Sequence, residues 1–304
     1  MNLLVVGSIA LDTIETPFAK VEDTPGGSAL YISISASYFT KSIGLVGIVG
    51  DDFPREVIDD LKKRNVNLNG LKIVSGGKTF KWAGRYHYDM NTRETIYTHL
   101  NVFADFEPVI PDEFRTSEYV CLGNIDPVLQ MRVLEQVDSP KLVIADTMNF
   151  WIERKYEELL ETLKHVNVLI VNDAEARQIA REPNLIKAGR KILDLGPDIV
   201  VIKKGEHGAV LMIDSVIFSA PAYPIEAIQD PTGAGDTFAG GFAGWIARTG
   251  DISEKNLRKA VIYGSAIASF CVEDFGINRI KNLTWNEIQE RFKTFQEMTR
   301  FEVD

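Results

Sequence analysis

The sequence predicts an α/β fold in which a mostly parallel sheet is covered by helices on both faces and carries a small accessory β flap. Three observations support this. Apolar runs of strand length alternate with segments of helical period along most of the chain. Several of the runs are solid Val/Ile/Leu, the mark of strands buried on both faces. Two polar, irregular stretches, residues 12–27 and 78–100, interrupt the rhythm.

Element by element, strands are expected at 3–11, 43–49, 71–74, 119–122, 142–145, 166–171, 199–203 and 209–213. Helices are expected at 28–39, 54–64, 127–136, 153–164, 174–181, 185–195, 235–248, 254–272 and 285–298. In the second interruption Phe80, Trp82, Tyr86 and Tyr88 alternate with other residues, "DMNT" makes a turn, and "ETIYTHL" returns with period two. That reads as an antiparallel hairpin with one wet face. With residues 12–27 it would form a flap beside the ligand-binding edge of the sheet. Its aromatic side chains would either cover a bound molecule or pair two subunits into a homodimer.

A chain of 304 residues has room for one large α/β domain, or a domain with a small appendage. The net charge of −10 argues against nucleic acid or an anionic membrane as partner. No apolar run approaches the ~18 residues of a membrane span. Cys121 and Cys271 both sit in apolar runs and read as buried small hydrophobes, with no CxxC pair for zinc or redox work. The start, "MNLLVVGSIALD", reads as a first strand and not as a signal peptide, so a reducing cytoplasm is the expected compartment.

Some motifs fail on inspection. "SGGKT" at 75–79 lacks the first glycine of a P-loop, where Lys72 stands, and "FKWAGRYHY" after it alternates like a strand; a hairpin turn is expected. "GAG" at 233–235 does not continue as a dinucleotide fingerprint, because Phe238 holds the third glycine position. The four histidines, His87, His99, His165 and His207, have no metal-ligand spacing. Asp51 and Asp52 read as a solvated face; Arg85 and Arg93 in the hairpin could reach phosphate but read as solvated lid charges.

"DPTGAGDTFAGG" at 230–241 is different. A helix begins there among glycines, although each interior glycine disfavours helix by roughly 1 kcal/mol. Unpaired N–H groups and the positive dipole end of a helix make an anion site, and glycines let a phosphate reach the backbone. The N–H groups of Ala234, Gly235 and Asp236 would cradle a transferring phosphoryl group. Asp236 would repel that phosphate unless it serves as the base that takes a proton from an attacking hydroxyl. The bland alternative is an acid that only favours the helix dipole. Further along, Gly240 and Gly244, and Ala260, Gly264 and Ala268, form bare stripes suited to close helix packing.

"DPTGAGDTFAGGF" resembles the C-terminal signature of the PfkB/ribokinase family of carbohydrate and nucleoside kinases, D-x-[TS]-G-A-G-D-x-F-x-x-[GA]. The similarity extends over nearly the whole chain. "VVGSIALD" resembles the family's first strand, which ends in a substrate-binding acid, here Asp12. "PGGSA" resembles the glycine pair beside the substrate, Gly26 and Gly27. "LVGIVGDD" resembles the G-x-V-G-x-D segment. "VNDAE" carries N-x-x-E as Asn172 and Glu175, a pair that the family uses to arrange magnesium and phosphates, through water. "VIKKGEHGAVL" resembles the strand–turn–strand lining the nucleotide, with Lys203 and Gly205 at its contact positions and Thr232 nearby in the signature loop.

The resemblance implies a ribokinase-like αβα sandwich with a mostly parallel central sheet. It implies one domain, residues 1–304, carrying a β-lid formed by about 13–25 and 76–101. It further implies ATP, Mg²⁺ and direct in-line transfer to an alcohol, and in many members a monovalent cation such as K⁺, here near Asp230. The chain departs from the family where Tyr31 replaces the Asn that touches sugar hydroxyls. A phenol offers one donor and a flat face, suiting a nucleoside or cyclitol better than a bare sugar. Lys203 stands where Thr or Ser is common, and "DTMN" at 146–149 stretches the family's D-x-N turn, so no role is carried onto it. The expected activity is an ATP-dependent kinase for a small sugar, nucleoside or cyclitol. The rivals are a non-catalytic nucleotide sensor that kept the fold, and a kinase for a sugar phosphate. The last needs a basic cluster near Asp12, and the adjacent sequence has none.

Overall fold

The computed structural model describes residues 2–300 and 302; positions 1, 301, 303 and 304 of the expected single unit lie outside the described residues. Nine strands form the main sheet, in the order β13-β12-β11-β10-β9-β8-β1-β4-β5. They are β1 (Leu3–Val6), β4 (Ile43–Gly50), β5 (Val66–Val74), β8 (Tyr119–Leu122), β9 (Leu142–Asp146), β10 (Val168–Asn172), β11 (Ile199–Lys203), β12 (Ala209–Ile213) and β13 (Val216–Ala220). The strands from β5 through to β11 run parallel, and β12 and β13 add an antiparallel edge.

Both sheet faces are covered, as the unbroken apolar runs require. Within β1, Leu3 and Val5 join one core while Leu4 and Val6 join another. The first core also holds side chains of α1 (Ser28–Ala36), α2 (Arg55–Lys63), α9 (Ala234–Thr249), α10 (Glu254–Cys271) and α11 (Trp285–Met298). The opposite face is covered by α3 (Asp112–Arg115), α4 (Pro127–Leu134), α5 (Asn149–Arg154), α6 (Tyr156–Leu163), α7 (Asp173–Ala180) and α8 (Leu185–Leu193). The glycine stripe of α9 packs closely, but not against its counterpart in α10. A Cβ at Gly240 would lie 2.4 Å from the Ile32 carbonyl, and one at Gly244 2.8 Å from Ala36 Cα, so both face α1. Gly241 is the residue that meets Gly264 of α10.

The expected strand 3–11 is in fact two. The chain leaves the main sheet at Gly7, where a Cβ would strike the Ser28 hydroxyl at 2.5 Å. The Ser8 N–H donates to that hydroxyl and its carbonyl accepts from Ala29 N–H. Held by the start of α1, the chain turns away and begins β2 (Ala10–Glu15). Asp12 therefore lies in a second sheet, not at the end of a main-sheet strand. That sheet has the order β3-β2-β6-β7, with β3 (Lys20–Gly26), β6 (Phe80–Tyr86) and β7 (Arg93–His99), and it unites the two irregular stretches.

"SGGKT" is not a hairpin turn, since β5 and β6 belong to different sheets. It is the crossing between them. Asp52 accepts from both the N–H and the hydroxyl of Thr79, and Asp51 from Gly76 N–H, so these acids pin the crossing and are not idle surface charges. The expected helix 153–164 breaks at Lys155, whose ammonium pairs with Asp126 at 2.6 Å.

Candidate active site

The residue before helix α9 is Gly233, which has φ of 75° and provides no side-chain cap. A Cβ there would lie 2.2 Å from Tyr31 Cζ, so handedness and the ring beneath both demand glycine. At Gly235 a Cβ would lie 2.9 Å from Lys203 Nζ. The two glycines thus expose backbone on one side to Tyr31 and on the other to an ammonium group. Ala234 N–H turns back to the Pro231 carbonyl at 3.2 Å. Among the described residues the N–H groups of Gly235 and Asp236 have no acceptor, so two expected cradle donors are open and the third is engaged.

Strand ends of the main sheet bring charges to this point. Lys203 closes β11 and Asp146 closes β9, and their side chains pair at 3.2 Å, both largely buried. Glu175, in the first turn of α7, and Asp236 complete the group. Asp236 has its pKa raised, first by removal from water and next by Asp146, with Lys203 and Arg93 pulling the other way. Glu175 is raised for the same first two reasons. Burial would lower Lys203, but Asp146, Glu175 and Asp236 more than offset it and hold the ammonium charged.

Asn172 and Glu175 form a reciprocal capping box. Asn172 Oδ1 accepts from Glu175 N–H and Glu175 Oε2 from Asn172 N–H, each at 2.8 Å. Asn172's oxygen is therefore committed to the cap, whereas Glu175 also lies within the electrostatic reach of Asp146, Lys203 and Arg93.

The second sheet supplies the facing wall. Asp12 is buried, its carboxylate so close to Gly26 that a Cβ there would lie 2.0 Å from Oδ2. Gly27 stands next to Gly26 at φ of 91°, and its backbone N–H acts to lower the Asp12 pKa. Burial, then Asp230 and Asp236, push the Asp12 pKa up to about 8. Tyr31 is fully buried and its hydroxyl has no hydrogen-bond partner. Burial first, and then Cys271, Asp230, Asp12 and Asp236, raise its pKa.

Arg93 is exposed at the start of β7, as a solvated charge would be, and its guanidinium lies 5.4 Å over the Trp82 ring. It bears electrostatically on Asp12, Glu175 and Asp236 together. Arg85, by contrast, pairs outward with Glu15 at 2.8 Å.

Thr232 gives its hydroxyl to Tyr86 at 3.1 Å and its N–H to Asp230. Gly205, at φ of 54°, opens the turn after β11, and Asn91 at the tip of the β6–β7 turn donates to the neighbouring Glu206. The two β sheets are thus joined across the cleft at both the signature loop and the expected nucleotide loop.

The hairpin aromatics do not share one exposed face. Phe80 stacks on Phe103, Trp82 folds over Gly84, and Tyr86 is buried, leaving Tyr88 exposed beside Phe18. A register shift between Ala83 and Gly84 contributes to the change. The other face of the small sheet is a concave, ion-paired surface, with Glu15–Arg85, Lys20–Glu22 and Lys81–Asp23 pairs.

Asp236, Asp12, Tyr31, Lys203 and Glu175 therefore converge. Sequence reasoning gave Asp146 no role, weighed Arg93 only as a lid charge that could reach phosphate, and named Tyr86 only among the hairpin aromatics. Each is one acid, cation or phenol in an unremarkable local pattern; only "DTMN", a recognisable turn position, marked one of them.

A parallel sheet with open helix donors, paired charges at its strand ends and a second small sheet across the cleft is the architecture of an α/β small-molecule kinase. The chain belongs to the pfkB family of carbohydrate kinases, whose model matches residues 2–283. It is 30% identical over 260 residues to a cytidine kinase of Thermococcus kodakarensis, covering 84% of this chain and 91% of that protein. A nucleoside kinase of Methanocaldococcus jannaschii is 26% identical over 271 residues, covering 88% of this chain and 85% of that one. Among solved structures, the Burkholderia thailandensis nucleoside kinase in complex with inosine superposes with a TM-score of 0.78 at 19% identity, over 96% of this chain and 97% of that chain. The fold is thus ribokinase-like. The chain is a nucleoside or sugar kinase of this family, a phosphotransferase with an alcohol acceptor. Kinases of the family use ATP and Mg²⁺. Among the described residues no helix is long and apolar enough to cross a membrane.

Proposed function

We propose that the protein is an ATP-dependent nucleoside kinase, with Asp236 as the base. The observation that carries this is the position of Asp236. It lies in the first turn of α9, beside open N–H groups and Lys203, and opposite the buried carboxylate of Asp12. Asp12 and the Gly26–Gly27 backbone would hold acceptor hydroxyls, with the unpartnered phenol of Tyr31 offering a further donor. Asp236 would take the proton of the attacking hydroxyl as its oxygen bonds to phosphorus and the bond to the ADP oxygen breaks. Gly235 and Asp236 N–H, Lys203 and Arg93 would meet the charge that develops on the phosphoryl oxygens.

ATP supplies the phosphoryl group, and Mg²⁺ supplies neutralisation of its charge. The donors fit both. Bare N–H groups and an ammonium suit phosphates, and Glu175 and Asp146 suit magnesium held through water; among the described residues no group of three acids, histidines or cysteines stands ready to bind it directly. A monovalent cation would suit Asp230, a fully buried carboxylate whose pKa burial raises and whose oxygens accept N–H groups of Thr232 and Gly276. A homodimer through the lid would draw on its exposed side chains, such as Tyr88 and Phe18, because Tyr86 is buried. A cytoplasmic location is part of the same proposal.

The cytidine and nucleoside kinase relatives, and the loss of a sugar-contacting Asn at Tyr31, favour a nucleoside over a free sugar. One observation favours a second reading. Arg93 places beside Asp12 the cation that the adjacent sequence lacks, and an ATP-dependent ribose-1-phosphate kinase of Halopiger xanaduensis is 26% identical over 259 residues. ADP release measured against nucleosides, ribose, ribose 1-phosphate and inositol separates the two. Turnover highest with a nucleoside supports the proposal; turnover highest with ribose 1-phosphate replaces it, and none with any acceptor returns the sensor reading.

A further inference from the structure

We propose that Tyr86 is a positioning residue, which locks the small sheet to the anion-binding loop so that acceptor and phosphate are held in one geometry. The inference rests on the kinase reading above. Asp12 and Arg93 belong to the small sheet, whereas Asp236 and the open N–H groups belong to α9. Transfer in line requires the two sides to be fixed to within a fraction of an ångström.

Tyr86 makes that connection. Its residue is 5% exposed, and its phenol accepts the Thr232 hydroxyl at 3.1 Å across 146 residues of chain. Thr232 is two residues before Ala234, where α9 begins, and its N–H is bound to Asp230. On the other side Tyr86 is the cross-strand partner of Arg93, whose guanidinium lies 5.4 Å over the Trp82 ring. The same residue thus joins a body loop to the strand pair that carries a lid cation.

Around the ring, Ile14, Val21 and Met90 of the lid pack with Ile228 and Phe275 of the body in a small apolar cluster of their own. Packing of this kind needs only a ring. The hydroxyl is an additional, directional element, and a buried hydroxyl is retained at a cost unless it is bonded.

The test therefore removes the hydroxyl and keeps the ring. Tyr86→Phe should fold like the wild type and lower kcat roughly tenfold, with the acceptor KM changed less than threefold. Thr232→Val, which also stands in the signature loop, should lose at least as much, and adding it to Tyr86→Phe should cost little more than Thr232→Val alone. Thr232→Ser, which keeps the hydroxyl, should recover most of the rate. A Tyr86→Phe enzyme with wild-type kcat, or losses that multiply in the double variant, would overturn the positioning role and leave Tyr86 as packing. A wild type without phosphotransfer to any acceptor overturns the kinase reading, and the positioning role falls with it.

Discussion

Two helices begin at the same sheet edge and treat their N-termini in opposite ways. Helix α7 closes its own end, with Asn172 and Glu175 satisfying each other's backbone donors. Helix α9 has no side-chain cap and leaves the donors of Gly235 and Asp236 open, with Lys203 beside them. The same dipole is present at both ends, so the dipole does not by itself make a site. What differs is whether the chain has already consumed the donors. A third start, that of α11, repeats the α7 solution far from the cleft, with Thr284 and Glu287.

The comparison is broken most severely at Asp236. If α9 is the open, reactive end, Asp236→Asn should lower kcat by a factor on the order of 10²–10⁴ while ATP still binds. Rapid-quench turnover and ATP titration read the two effects separately. Near-normal turnover would reduce Asp236 to a residue that only favours the helix dipole.

The glycines of α9 sharpen it next. Gly233→Ala forces an L-residue into φ of 75° and a Cβ into the Tyr31 ring, so stability should fall by at least about 2 kcal/mol in urea melts. Gly235→Ala meets only the end of a flexible lysine. Its melt should be almost unchanged, while KM for ATP rises roughly tenfold as the methyl group holds phosphate off the backbone. Equal behaviour of the two variants would remove the distinction between a structural and a ligand-facing glycine.

How much of this was legible follows the same line. The parallel sheet was readable because unbroken apolar strands such as β1 and β4 have few alternatives, and the uncapped start of α9 because glycines at a helix start are costly without a reason. The split of the first strand was hidden. Gly7 and Ser8 are a weak turn signal inside an apolar run, and the approach of Ser28 marks the bend there. Arg93 and Tyr86 were hidden because their roles depend on the small sheet folding back over α9. A register shift in β6 then undoes the simple alternation from which their direction was read. Asp146 sat on a recognisable strand end, but only Lys203, 57 residues on, reveals what it neutralises.

A smaller effect concerns Asp12 and pH. Its folded pKa of about 8 stands above its unfolded 3.8, so burial favours the protonated acid. The stability this gives is fully present below the unfolded value and is lost as pH rises through about 8. Asp12→Asn, always neutral, should therefore gain on the wild type by on the order of 1–3 kcal/mol between about pH 5 and about pH 8. Parallel melting curves for the two proteins across that range would show that Asp12 carries no such penalty.

The finest distinction lies between two capping boxes of the same pattern, Asn172 with Glu175 and Thr284 with Glu287. Glu287 is held by Arg279 and by Thr284, and its pKa drops to about 2. Its contribution is present above the unfolded 4.5 and is lost as pH falls through about 2. Glu175 makes the same two cap bonds, yet burial and Asp146 raise its pKa. Glu287→Gln should cost about 1 kcal/mol of stability at neutral pH and leave turnover untouched. Glu175→Gln keeps an acceptor for the cap and removes a disfavoured charge, so its melting temperature should hold or rise. Its magnesium requirement should rise several-fold in the same assay, because a carboxylate beside Lys203 and Asp146 has been lost. If instead Glu175→Gln destabilised as Glu287→Gln does, with an unchanged magnesium titration, α7 would be an ordinary capped helix. The reactive end of the cleft would then belong to α9 alone.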